Sequence, residues 1–255
     1  METVSVSNEF ESVTQWFTQK IEPVHPVREV LERYHAQHPR AIFLKTLPAN
    51  ATMLDVGAGD GGLEVFRHWP APKRLDVKLF AYSLEKGAGF DKYDGYELGN
   101  WDQHLPELGG KKFDAIYSSH FIEHIKDRGA YVNWCASRLE PGGQVYIEWP
   151  AHDSQFCPTI QELSKVGFAS ITANFRDDRT HKDLPSRADM LHHLESAGLI
   201  VDAQAIIRMP IFENDLLAHY RETGDVVSLQ FAYWLRTGWC QFVTAHAPEA
   251  DLPEK

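Results

Sequence analysis

One ten-residue stretch constrains this chain more than any other: Met53-Leu54-Asp55-Val56-Gly57-Ala58-Gly59-Asp60-Gly61-Gly62. A short apolar run ends in a carboxylate and leads at once into four glycines in six residues. A strand buried on both faces reads as an unbroken apolar run. Glycine lets the chain turn sharply and come close to a ligand, and a helix starting beyond the turn aims free N–H groups at that ligand. Gly57, Gly59 and Gly62 satisfy G-x-G-x-x-G, a spacing shared by turns that cradle nucleotides of several kinds. The residues beyond the turn decide between them.

A chain of 255 residues can bury one substantial core, and α/β folds of this size are routinely single domains. Its net charge of -11 argues against a nucleic acid or an anionic membrane as partner, because phosphates are held by Lys and Arg. No apolar run approaches the roughly 18 residues of a membrane helix. The start, Met1-Glu2-Thr3-Val4-Ser5-Val6, lacks the basic and apolar regions of a signal peptide. Three widely spaced cysteines, Cys135, Cys157 and Cys240, make neither a disulfide framework nor a zinc pattern. These features predict a reduced, soluble, cytoplasmic protein with no nucleic acid or membrane partner.

The first forty-odd residues read as helical, and residues 1–50 are expected to form an N-terminal helical cap. Beyond Pro26, which suits a helix start, Val27, Val30, Leu31 and Tyr34 share one helix face. Strands are predicted at Met53–Val56, Leu79–Leu84, Gly95–Asn100, Phe113–Ser119, Gln144–Trp149, Leu199–Ile207 and Cys240–Ala245. A helix from about Leu63 should stop before Trp69-Pro70. Another should run from His120 through Leu139 to the Pro141-Gly142-Gly143 turn. Ser186, with Asp189 three residues on, caps a third that Gly198 ends. A fourth spans Ser228–Leu235. Ala151–Pro185 is polar and too long for a simple connector, so an acceptor-loop insertion is expected around 151–185. The domain proper covers 51–247, and 248–255 reads as a disordered tail.

Strands alternating with helices give a doubly wound, Rossmann-like α/β sheet, mostly parallel. Ligands of such sheets sit beyond the carboxyl ends of the strands. Asp55, Gly57, Glu85, Asn100, Ser119 and Glu148 all fall there, so their chemistry converges on one rim.

Three motifs together resemble the class I S-adenosylmethionine-dependent methyltransferases. Leu54-Asp55-Val56-Gly57-Ala58-Gly59 is similar to their first motif, and Phe113 through His124 to their fourth-strand motif, which often ends in Leu-Glu-His. Leu139-Glu140-Pro141-Gly142-Gly143 is similar to the turn before their fifth strand. Covering about Val27 to Ala245, the resemblance implies seven strands with a reversed final one and S-adenosyl-L-methionine as cofactor. It implies that Asp55, Gly57, Ala58 and Gly59 hold the methionine part, with Ser119 and His120 beside it. It implies adenine contacts from Asn100 and Trp101, the latter being equally suited to core packing. The family's ribose-binding carboxylate stands at the end of strand two, where this chain has Ser83. Glu85, two residues on and on the same side of an extended chain, is assigned that contact.

A base is needed only where the acceptor must lose a proton, and histidine is the natural candidate. His124 and His181 are the predicted catalytic residues. Asp178 and His181 form a candidate base pair, with Arg176 or Arg179 to bind an anionic group. His152 and Glu148 are additional candidates, and His192-His193 reads as structural. His120, Glu123 and His124 form H-x-x-E-H, three positions that share one face of a helix and could ligate a metal. A related E-x-x-E-H pattern binds a divalent ion in some family members. Here His120 replaces the first carboxylate, so no metal is assigned and Glu123-His124 is read as ordering the helix.

The resemblance implies methyl transfer to a small molecule or saccharide, at oxygen. Asp178-Arg179-Thr180-His181 resembles stretches in methyltransferases of surface-glycan assembly, which points to a sugar hydroxyl. The competing readings are an NAD(P)-dependent oxidoreductase, resting on G-x-G-x-x-G alone, and a non-catalytic methyltransferase-like binding protein. Aromatic residues near both ends (Phe10, Trp16, Phe17; Phe231, Tyr233, Trp234) suit core packing, an acceptor cover or a homodimer contact.

Overall fold

Seven strands form one sheet in the computed structural model, which describes residues 6–250, with side chains from residue 9. They are β1 (Thr52–Val56), β2 (Lys78–Ser83), β3 (Gly95–Leu98), β4 (Phe113–Ser119), β5 (Leu139–Pro150), β6 (Ile200–Ile206) and β7 (Cys240–His246). Their order is β3-β2-β1-β4-β5-β7-β6. β3, β2, β1, β4 and β5 pair in parallel. β7 runs against β5: Ala247 N donates to Gly143 O, and Ala151 N to Trp239 O. The doubly wound sheet with a reversed last strand is as the sequence predicts.

The helices are α1 (Val6–Thr18), α2 (Val27–Gln37), α3 (Pro39–Thr46), α4 (Val65–His68), α5 (Arg128–Arg138), α6 (Ile160–Ser164), α7 (Arg187–Ser196), α8 (Pro210–Thr223) and α9 (Val226–Thr237). Side chains alternate across the strands, and two cores result. Leu54, Val56, Val145, Ile147 and Trp149 face one side, under Tyr131, Val132 and Cys135 of α5 and Met190 and Leu194 of α7. Met53, Ala115, Tyr117 and Tyr146 face the other, under Phe43 and Leu44 of α3. Each core removes a continuous apolar layer from water, the dominant favourable term in folding.

The chain forms two compact units. The sheet unit holds Ala36–Trp149, Pro185–Ala205 and Phe242 onward; the helical unit holds the described residues up to His35, Pro150–Leu184 and Ile206–Gln241. The sheet unit begins at Ala36 and so includes α3, which covers the sheet. Within the helical unit, Trp16 donates to Asn214 Oδ1 at 3.1 Å, and Tyr34 packs edge-on against Phe212. Fully buried Asp215 on α8 accepts from the Val24 N–H (2.6 Å) and from Nδ1 of His25 (2.6 Å), fixing the approach to α2.

Two sequence expectations fail here. The helix expected from His120 begins only at Arg128: His120 has φ +54, and Asp127 is the N-cap, its side chain accepting from Ala130 N at 2.8 Å. His120, Glu123 and His124 therefore lie on a loop, and the helical-face argument for them does not apply. The sequence reading also passes over α8, because buried Glu213 and Asp215 interrupt its apolar face. Pro210 at its first turn and Gly224 at its end (φ +75) are the signals that mark it. The expected tail starts on an anchored residue, since Gly142 N donates to Pro248 O at 3.2 Å; residues 251–255 lie outside the described residues.

Removing the Asp127 cap isolates the start of α5. Asp127→Ala should cost about 1 kcal/mol, read as a lower urea midpoint with an unchanged m-value.

Candidate active site

The strand order reverses between β1 and β4, and at such a switch point the loops part to leave a crevice at the carboxyl ends. The glycine-rich turn opens there. Gly57 N and Ala58 N both donate to Tyr82 O, at 2.8 and 3.2 Å, which bends the chain back over β2. Gly57 has φ +76, and a Cβ there would lie 2.6 Å from the Phe121 ring. Next to Gly59 the space is open, with nothing within 4 Å of where a Cβ would project. The turn therefore leaves open space beside Gly59 at the switch point, while Gly57 is closed in by Phe121.

The outer side of the turn is braced by a loop that the sequence reading did not single out. A Cβ on Gly87 would lie 2.2 Å from Gly59 O, and Gly89 N donates to Asp60 O at 2.8 Å. The alternation Gly87-Ala88-Gly89 just after β2 was the available signal. Two loops of backbone pack this closely only where side chains are missing.

Asp55, at the end of β1, is 3% exposed and accepts a hydrogen bond from Tyr93 at 2.8 Å. Burial pushes its carboxyl up to about 7, with the Tyr93 hydroxyl and the Arg40 charge pulling the other way.

On the same face, Glu148 is fully buried yet ionised. Arg40 grips it through Nε (3.0 and 2.9 Å) and Nη2, and Tyr146 donates to Oε2 at 2.6 Å. His120 Nε2 lies 3.2 Å from Oε1. Burial alone would raise this carboxyl; the Arg40 guanidinium and the His120 contact outweigh it and hold it well below the usual range. Nδ1 of His120 meets Glu123 at 3.2 Å. Its imidazole thus stands between two buried carboxylates, one of which, Glu123, keeps Oε2 without a hydrogen-bond partner among the described residues.

The other predicted residues are spread along the rim and beyond it. Ser83 ends β2 and is buried, while Glu85 is exposed two residues on. Asn100, exposed after β3, accepts from Asp102 N at 3.0 Å. Trp101 is buried, its ring packed edge-on against Tyr82, Phe121, Tyr131 and Trp134. Ser119 ends β4, with its hydroxyl 3.5 Å from Glu148. His124 lies on the loop after β4 and belongs to the sheet unit; His181 belongs to the helical unit. His181 stacks on Phe175, and its Nδ1 donates to Phe175 O at 2.5 Å. Asp178 Oδ2 lies 3.8 Å from Nε2, within ion-pair range.

A doubly wound sheet, a reversed last strand and a glycine turn at the switch point define a class I methyltransferase fold. The family description "Methyltransferase domain" matches residues 27–204, and the chain belongs to that family. It is an S-adenosylmethionine-dependent methyltransferase, and the oxidoreductase alternative falls. The chain is 29% identical over 188 residues to a ubiquinone biosynthesis O-methyltransferase of Xanthomonas axonopodis, covering 69% of this chain and 71% of that protein. It is 27% identical over 164 residues to phosphoethanolamine N-methyltransferase 1 of Arabidopsis thaliana, covering 54% of this chain and 32% of that one. In fold it is similar to an S-adenosylmethionine-dependent methyltransferase from Mesorhizobium loti, with TM-score 0.54, 16% identity and coverage of 83% and 99%. It is also similar to geranyl diphosphate C-methyltransferase of Streptomyces coelicolor, with TM-score 0.51, 16% identity and coverage of 95% and 98%. Among the described residues, no helix is long and apolar enough to cross a membrane.

The Asp55 environment carries a pH signature. The unfolded chain loses this proton near 3.8, whereas the folded protein holds it to about 7. The stability it confers is complete below the lower value, declines through the window and is gone above the upper one. Wild type should lose about 2 kcal/mol more than Asp55→Asn between pH 5 and pH 7, measured by urea unfolding. Equal losses would show that the carboxyl titrates normally.

Proposed function

We propose that this enzyme methylates an oxygen of a small-molecule acceptor. The observation that carries the cofactor half is the bare, left-handed glycine turn at the β1–β4 switch point, with open space beside Gly59. The oxygen acceptor is supported by similarity to the ubiquinone biosynthesis O-methyltransferases.

We assign the methionine end of the cofactor to Asp55, to the backbone of Gly57, Ala58 and Gly59, and to Ser119 and His120. The ribose goes to Glu85 and the adenine to Asn100 and Trp101. S-adenosyl-L-methionine, when held by these residues, would supply an activated methyl group on a sulfonium. The protein's part is then to orient the acceptor oxygen, from which proximity alone can draw much of the acceleration. A phenol or alcohol must also shed its proton, and His124 and His181 are the assigned acceptors of it. His181 suits that task through its fixed tautomer. A saccharide hydroxyl is the second reading, resting on Asp178-Arg179-Thr180-His181.

Calorimetric titration with S-adenosylhomocysteine should give micromolar binding, and NADH none. Glu85→Ala should weaken S-adenosylhomocysteine at least fivefold; full affinity in that variant removes Glu85 from the ribose. Turnover with S-adenosylmethionine should be seen on phenols and catechols. Turnover on monosaccharides alone would move the acceptor to the second reading.

A further inference from the structure

The sheet ends in β3 on one side and β6 on the other, and the two edges are made differently. An edge strand offers a row of unpaired N–H and C=O groups to any further strand, and proteins blunt such edges with short strands, lysine, proline or a covering segment. β3 follows that pattern. It has only four residues, Glu97 among them, and Lys86 lies over the Tyr96 ring at 5.6 Å. β6 does not. Ile200-Val201-Asp202-Ala203-Gln204-Ala205-Ile206 has seven residues and carries no Lys, Arg, Pro or Gly. Five of the seven are exposed, including Ile200 at 51% and Ile206 at 40%. Among the described residues, β7 is the only strand beside it.

The residue order of β6 says what fits this edge. Antiparallel strands meet residue against residue, and reversed about Ala203 this strand matches itself. Ile200 then falls opposite Ile206 of a second copy, Val201 opposite Ala205, and Asp202 opposite Gln204. Apolar groups meet apolar groups, and the one carboxylate meets an amide that can donate to it. Asp202 is also engaged within its own sheet, with Oδ1 2.7 Å from Nδ1 of His246 on β7. A parallel pairing in register would set Asp202 against Asp202, and like charges directly opposite are destabilising. A two-fold axis, the commonest symmetry of soluble dimers, requires the antiparallel arrangement.

We propose that β6 is a homodimer interface: two copies of this chain pair antiparallel along β6 about a two-fold axis at Ala203, joining their two sheets into one. The backbone ladder supplies the attraction, and the Ile200–Ile206 and Asp202–Gln204 pairs supply the register. The glycine turn lies between β1 and β4, on the far side of β5 and β7 in the strand order, so the interface is separate from the cofactor cradle.

The test is sedimentation velocity of the full chain over a range of concentrations, which should show a reversible monomer–dimer equilibrium. Gln204→Asp sets a carboxylate opposite Asp202 and should weaken the dimer about tenfold. Gln204→Lys sets an ammonium there and should dimerise at least as tightly as wild type. Gln204 is exposed, so both variants should keep the wild-type circular dichroism spectrum. Disulfide trapping reads the register, because all three native cysteines are buried. Ala203→Cys should form a cross-linked dimer on mild oxidation, since opposed antiparallel residues stand about 4.5–5.5 Å apart at Cα, within disulfide reach. Ile200→Cys should not cross-link to itself but should cross-link to Ile206→Cys when the two variants are mixed. The proposal is overturned by a chain that stays monomeric at every concentration, by Gln204→Asp dimerising like wild type, or by Ile200→Cys cross-linking to itself as readily as Ala203→Cys.

Discussion

The carboxylate of Glu148 is the point on which the rim depends. It sits at zero exposure near the end of a central strand, where an unpaired charge would be prohibitively costly. Arg40 from α3, Tyr146 from its own strand and His120 from the loop after β4 meet it together. Breaking such a buried pair costs roughly 3–5 kcal/mol, far more than the intact pair contributes. The ion pair therefore acts as a specifying device more than a stabilising one: these segments either satisfy one carboxylate together or leave it stranded. It also fixes the loop of Ser119 and His120, which the sequence offers to the cofactor, and holds His120 in its left-handed conformation.

Beside this closed charge network the protein keeps its other rim carboxyl in a different state. Asp55 receives a neutral hydroxyl from Tyr93, so burial dominates and the proton stays on to about neutral pH. Two acids on one face of one sheet thus differ in charge through their neighbours alone. Around them, glycine is spent where backbones must nearly touch. The Gly57 turn bends over β2, and the Gly87 loop closes against the Gly59 carbonyl. The glycine turn is thus shaped by two facing loops, not one.

The helical unit achieves order by other means. Its long segment after β5 has little regular structure, so its backbone groups are met by side chains. Gln230 on α9 accepts from Ile171 N (2.7 Å) and Thr172 N (3.0 Å) and donates to Thr172 O (2.7 Å). Asp177 accepts from Ala173 N (3.1 Å), Asn174 N (2.7 Å) and Ile160 N (3.2 Å). A loop held this way is specific in shape without a ladder, and it can vary in sequence while the sheet does not.

The sheet was legible because its signals are local. Mainly apolar runs locate β1, closed by Gly57, and β2, followed by Glu85, as well as β4, and the Ser186 cap with Gly198 locates α7. The Gly57–Gly59 turn likewise announced a nucleotide-type cradle, since left-handed backbone beside open space is written in glycine itself. The features that failed to show have causes far along the chain. The loop from His120 to Asp127 reads as helix until Glu148, more than twenty residues later, is seen to hold His120 out of it. By itself, then, the sequence determined the strands, the glycine turn and the family. Tertiary structure alone decided which carboxylates are charged and which imidazole nitrogens are taken, because desolvation and long-range charge pairing exist only once the chain has closed on itself.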